Sequence, residues 1–220
     1  MTEVFDVSDA RQRAEGLDAA VRVLSRGQLI VFPTDTVYGV ACDPFSQSAV
    51  EKLLWAKGRW KDIPLPVMVG SRHTVEALTD LVTEEARRLM EAFWPGALTL
   101  VVEARRDLKW GVDPAGGALS VRVPDHPLAV ELLRAAGPLA VSSANRAGAE
   151  PAISAEDAQN QLGARIAVLL DGGPAAVPLP SSVVDVRGEV PVLLRAGAIS
   201  ELALRAVCPD LAASGPAAHP

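Results

Sequence analysis

Lys57, Arg59 and Lys61 put three cations into the five residues KGRWK. Charges of one sign that close repel unless something neutralises them, so the cluster fits a polyanion such as a triphosphate. A solvated cluster favouring the C-terminal end of a helix dipole fits the same spacing, and the spacing leaves both readings open. A second group, PTDTVYG at residues 33–39, sets Thr34, Asp35, Thr36 and Tyr38 directly behind an apolar run. Its hydroxyls, carboxylate and phenol could orient a small polar substrate, or simply satisfy turn amides. SSAN at residues 142–145 offers hydroxyl and amide groups without a G-x-S-x-G elbow. None of His73, His126 and His219 stands in a motif relation to it, so hydrogen bonding to an anion or amide suits it better than Ser-His-Asp catalysis.

Two further arginines lie in apolar surroundings, Arg122 within SVRVP and Arg195 at the end of VPVLLRAG. A guanidinium there is costly unless it is paired or reaches a ligand carboxylate or phosphate. For Arg122 an ion pair and a ligand are equally open, whereas the strand-end position of Arg195 favours a ligand. Neither G-x-x-x-x-G-K-[ST] nor G-x-G-x-x-G occurs, so a nucleotide site would belong to neither common type. No His, Cys and carboxylate set has catalytic metal spacing, and magnesium would arrive on a nucleotide.

The elements that must position these groups follow from periodicity and punctuation. With 220 residues and 49% apolar content, one large α/β domain over residues 8–208 is expected, with a disordered tail at 209–220. Ser8 is expected to cap a helix over 9–26 that stops at Gly27. A buried strand at 29–32 should end at Pro33 and open into the PTDTVYG turn. A helix starting at Ser46 or Ser48 and ending at Gly58 delivers the basic cluster. Strands at 65–69, 97–103, 118–123, 138–141, 166–170, 182–187 and 190–194 alternate with helices at 74–78, 83–93, 127–136, from Ser154, and at 201–207. The strands at 97–103 and 118–123 follow one another with no helix between, which predicts a twisted mixed parallel and antiparallel sheet flanked by helices.

The net charge of −6 removes the electropositive field that a bulk nucleic-acid binder needs, while leaving room for a local basic pocket. Cys42 and Cys208 form no disulfide or zinc pattern. No apolar run reaches the length of a membrane span, and the first twenty residues lack an apolar signal core, so a cytoplasmic protein with no membrane partner is expected.

Taken together, PTDTVYG, KGRWK followed by PL, FWPGALTLV, SVRVPDHP, SSAN, SSVVD and LLRAGAI occur in one order over residues 19–199. This set resembles the YrdC-type L-threonylcarbamoyladenylate synthases in their short, single-domain form. The resemblance implies formation of threonylcarbamoyl-AMP and pyrophosphate from L-threonine, bicarbonate and ATP, toward the N6-threonylcarbamoyl modification of adenosine 37 in tRNA. It implies a concave basic cavity, Mg2+ carried with ATP, downstream tRNA threonylcarbamoyl transferase proteins as partners, and contact with tRNA. By the same likeness Lys57 and Arg59 hold ATP phosphates with Lys61 as helper, and Ser143, Asn145 and Arg195 lie at the nucleotide. Thr36, Arg122, Ser143 and Ser181 hold the threonine. The chain departs from the family pattern at Met68, where a histidine is usual, and at Ser182 and Ala196, where threonine and proline are usual. A non-catalytic domain of the same shape, binding RNA or serving regulation, is the alternative.

Overall fold

The computed structural model describes residues 1–58, 65–112, 115–175 and 179–213, without the side chain of Ala115. Arg59 and Lys61 lie outside the described residues, as do residues 214–220 of the expected tail.

The strands form one mixed sheet: β1 (Glu3–Asp6), β2 (Ile30–Phe32), β3 (Gly39–Cys42), β4 (Val67–Met68), β5 (Leu98–Glu103), β6 (Ala118–Arg122), β7 (Leu139–Ser143), β8 (Val168–Asp171), β9 (Ser182–Asp185), β10 (Val192–Arg195) and β11 (Ala212–Ala213). Across the sheet they run in the order β1-β8-β2-β3-β7-β4-β6-β5-β9-β10-β11. The neighbours β5 and β6 pair antiparallel, as two strands without a helix between them require, while β4 pairs β6 and β5 pairs β9 in parallel.

The helices α1 (Ala10–Leu24), α2 (Gln47–Ala56), α3 (Arg72–Leu78), α4 (Glu84–Phe93), α5 (Pro127–Ala136), α6 (Ala155–Leu162) and α7 (Glu201–Val207) carry the expected stops and caps with small shifts. Asp9 rather than Ser8 caps α1, accepting from the Gln12 amide, while the Ser8 hydroxyl donates to Asp6. Ser46 caps α2, and Ser154 with Asp157 forms a full capping box on α6.

Three short strands go beyond the sequence reading. β3 is the return arm of a hairpin with β2, Phe32 opposite Gly39, so PTDTVYG is its loop. β1 pairs with β8, and β11 with β10, so the sheet extends past both ends of the expected 8–208 span. Leu211, within the stretch expected to be disordered, is buried. β1 and β11, the two short edge strands, are held by the ladder beside them more than by their own side chains, and their composition therefore announces them weakly.

The two faces of the sheet are covered unequally. One apolar cluster packs α2, α3, α4, α6 and α7 onto residues such as Val67, Leu98, Leu100 and Val121. The other packs α1 and α5 onto β8, β2, β3, β7 and β4, through Ile30, Phe32, Met68, Val141 and Leu170, and takes no described residue from β6, β5, β9 or β10. Side chains alternate faces along a strand, so Thr99, between Leu98 and Leu100, and Arg122, after Val121, turn to the side that α1 and α5 leave open. That gap in the helical layer is the cavity described below.

Tyr38 anchors one wall of the gap. It is fully buried, its phenol donating to the Gly173 carbonyl at 2.6 Å and accepting from the Gly172 amide at 3.0 Å. Burial, aided by the charge of Asp171, pushes its pKa up to about 12, so it acts as a neutral brace of the turn after β8. Tyr38→Phe leaves both backbone groups without this partner and should lower stability by about 1–3 kcal/mol, measured by urea unfolding.

Candidate active site

A cavity of about 320 Å³ opens across the strand ends β3, β7, β4, β6, β5 and β10. Lys57, Ser143 and Asn145, Thr36 and Arg122, and Ser181 and Arg195 all line it. Residues more than 150 positions apart in the chain thus meet in one space, and every described member of the sequence-derived set is among them.

Lys57 enters from the C-terminal cap of α2 and is 3% exposed. Its ammonium donates to the Ser143 and Asn145 carbonyls and lies 3.4 Å from Ser143 Oγ and from Asn145 Oδ1. The Ala147 amide donates back to the Lys57 carbonyl, which locks the end of α2 to the loop after β7. Asn145 spends its own amide hydrogens on the Arg146 and Ala149 carbonyls. The cation is thereby held on a loop of fixed shape, the arrangement that positions charge without reorganisation when an anion arrives.

Arg122 makes the ion pair, one of the two readings that the sequence left open, and also faces the cavity. Its Nη2 pairs with Asp35 at 2.7 Å, Nη1 donates to Thr36 Oγ1 at 3.1 Å and Nε donates to the Gly96 carbonyl at 2.9 Å, while the residue still lines the cavity. Burial pulls its pKa below the ordinary arginine range and Asp35 opposes this; the guanidinium stays charged. Asp35 thus binds a side chain instead of turn amides, whereas Thr34 does what turn hydroxyls do, accepting from the Thr36 amide and donating to the Val37 carbonyl. Since the Thr34 hydrogen is taken, Thr36 must be the donor in the 3.1 Å contact between the two hydroxyls. Thr36 keeps acceptor capacity for a ligand and no hydrogen.

At the far end, Arg195 donates through Nε and Nη2 to the Ser181 carbonyl and through Nη2 to Ser181 Oγ. Burial lowers its pKa, and the charge of Arg122 adds to the effect. Two guanidiniums and an ammonium therefore face a cavity whose described lining contains no carboxylate. Gly197 permits the backbone approach that makes this corner, because a Cβ there would overlap Pro180 and Ser181.

The structure also brings in two residues outside the sequence-derived set. Met68 lines the cavity beside Val141, adding apolar wall where the resemblance implies a histidine. Thr99 lies within hydrogen-bond distance of Ser181 Oγ, at 2.8 Å. A lone hydroxyl inside ALTLVVE, on the strand face opposite its leucines, was the one available signal for it.

The chain belongs to the Sua5/YciO/YrdC family, whose model, described as "Telomere recombination", matches residues 22–197. Within it, a Mycobacterium tuberculosis protein provisionally named threonylcarbamoyl-AMP synthase is 50% identical over 91% of this chain and 92% of its own length. The threonylcarbamoyl-AMP synthase of Bacillus subtilis is 40% identical over 86% of this chain and 55% of its own. The crystal structure of Pyrococcus abyssi Sua5 complexed with L-threonine superposes with a TM-score of 0.86 at 28% identity, covering 97% of this chain and 62% of that one.

Two outcomes follow from the geometry. Asp35→Ala leaves the buried Arg122 charge uncompensated and should cost about 3–5 kcal/mol in urea unfolding. Gly197→Ala should displace the Ser181 corner and weaken ligand binding in the cavity by about tenfold with helix content unchanged, read by calorimetry and circular dichroism.

Proposed function

We propose that this protein is an L-threonylcarbamoyladenylate synthase, a nucleotidyltransferase that forms threonylcarbamoyl-AMP and pyrophosphate from L-threonine, bicarbonate and ATP. The observation that carries the reading is one cavity in which Lys57, Arg122 and Arg195 share the lining with hydroxyl and amide side chains and no carboxylate stands among the described lining residues. Such a lining suits two anionic substrates held side by side. The names of the relatives and the threonine bound to the archaeal neighbour point the same way.

The chemistry asks for positioning more than for a covalent intermediate. The amine of threonine and bicarbonate give N-carboxythreonine and water; its new carboxylate oxygen attacks the α-phosphorus, and the bond to the β-phosphate bridging oxygen breaks as pyrophosphate leaves. Lys57, with Arg59 and Lys61 outside the described residues, is assigned to the phosphates, Arg195, Ser143 and Asn145 to the nucleotide, and Arg122, Thr36, Ser143 and Ser181 to the threonine. Magnesium would come with ATP on phosphate oxygens, since the described lining offers no carboxylate ligand. Among the described residues no group of three His, Cys, Asp or Glu is placed to hold a metal, and no helix is long and apolar enough to cross a membrane.

The product would serve the N6-threonylcarbamoyl modification of tRNA in the cytoplasm, passing to a threonylcarbamoyl transferase and, through it, to tRNA. Mass detection of threonylcarbamoyl-AMP, with ATP, L-threonine and bicarbonate omitted in turn, tests the activity: product only with all three is expected, and none with all three would overturn it. Lys57→Met, which keeps the stem and removes the charge, should cut pyrophosphate release by about 100-fold or more.

A further inference from the structure

We infer that Thr99 is a specificity-determining residue which, paired with Ser181, reads the side-chain hydroxyl of the amino-acid substrate. This deepens the functional reading above and rests on it. Five buried hydroxyl-bearing residues line the cavity, Thr34, Thr36, Thr99, Ser181 and Tyr38, whose phenol gives its hydrogen to the Gly173 carbonyl. The first two are closed as donors, because Thr34 gives its hydrogen to the Val37 carbonyl and Thr36 gives its own to Thr34.

Thr99 and Ser181 are arranged differently. Their oxygens are 2.8 Å apart, so a single hydrogen bond joins them and uses one of their two hydrogens. Arg195 Nη2 donates to Ser181 Oγ at 3.1 Å, which fills one of its acceptor positions and contributes no acceptor to the pair. Whichever hydroxyl donates across the pair, one O–H remains without a protein acceptor among the described residues, and Thr99 keeps an open lone pair. The pair therefore presents one donor and one acceptor to the cavity, both nearly fully buried.

A carboxylate or phosphate accepts only, and is matched by the guanidiniums and the ammonium. An alcohol both donates and accepts, and a neutral pair with one of each is its complement. Desolvating such a pair is costly unless a partner replaces the lost water, so an amino acid of the same shape lacking the hydroxyl leaves it unsatisfied and is rejected. In L-threonine the alcohol is the only group with this dual character besides the amine, which the reaction consumes.

The test compares binding of L-threonine with that of its isostere L-valine, by calorimetry on the wild-type protein and on Thr99→Val and Thr99→Ser. Wild type should prefer threonine strongly. Thr99→Val should bind threonine about tenfold or more weakly while binding valine as well as or better than wild type, and Thr99→Ser should restore the preference. A merely structural loss would weaken both amino acids alike, and that result overturns the assignment, as does a Thr99→Val protein whose threonine affinity stays within about twofold of wild type. Wild type that binds no threonine at all overturns the functional reading along with it, whereas wild type that prefers threonine and a Thr99→Val variant that prefers it equally removes only Thr99.

Discussion

The site depends on one buried charge being held in place. Arg122 ends β6, and its three hydrogen-bonded contacts reach Asp35 and Thr36 in the β2–β3 hairpin loop and the Gly96 carbonyl before β5. A charge at this depth is tolerated because Asp35 compensates it and three of its five N–H donors are taken by groups fixed on neighbouring elements, which leaves donors for a ligand. The same bonds fix those elements: the hairpin loop cannot move without exposing an unpaired guanidinium. Arg122 is therefore both a structural member and the positive floor of the cavity.

Around it the fold divides labour by layer. The helices α1 and α5 cover the sheet as far as β4 and stop, and beyond it Thr99, Ser120 and Arg122 turn to the uncovered face while Leu98, Leu100, Leu119 and Val121 pack on the other. Lys57 closes one end through the loop after β7 and Arg195 the other through Ser181, each cation hydrogen-bonded to backbone carbonyls that set its direction. Cations arranged this way meet incoming phosphate and carboxylate without first having to be oriented, which is the main requirement of a reaction between two anions.

Much of this was legible in the chain, and the gaps have physical causes. Strand-end polar clusters pointed to Thr36, Ser143, Asn145 and Arg195 because loops after buried strands are where backbone and side chains turn to a crevice. The double role of Arg122 was not legible, since pairing with Asp35 depends on a contact across 87 positions that no local pattern records. Thr99 was passed over for a related reason: one threonine in a β strand is ordinary, and only its distance to Ser181 gives it meaning. β1 and β11 escaped because their stability lies in the neighbouring strands.

The most direct measurement is a crystal structure with a non-hydrolysable ATP analogue and L-threonine bound together. Both ligands should occupy the one cavity, with phosphate oxygens at Lys57, the amino-acid carboxylate at Arg122 and its hydroxyl at Thr99 and Ser181. An ATP analogue bound elsewhere on the protein, or threonine bound away from Arg122, would contradict the assignment of this cavity as the site of reaction.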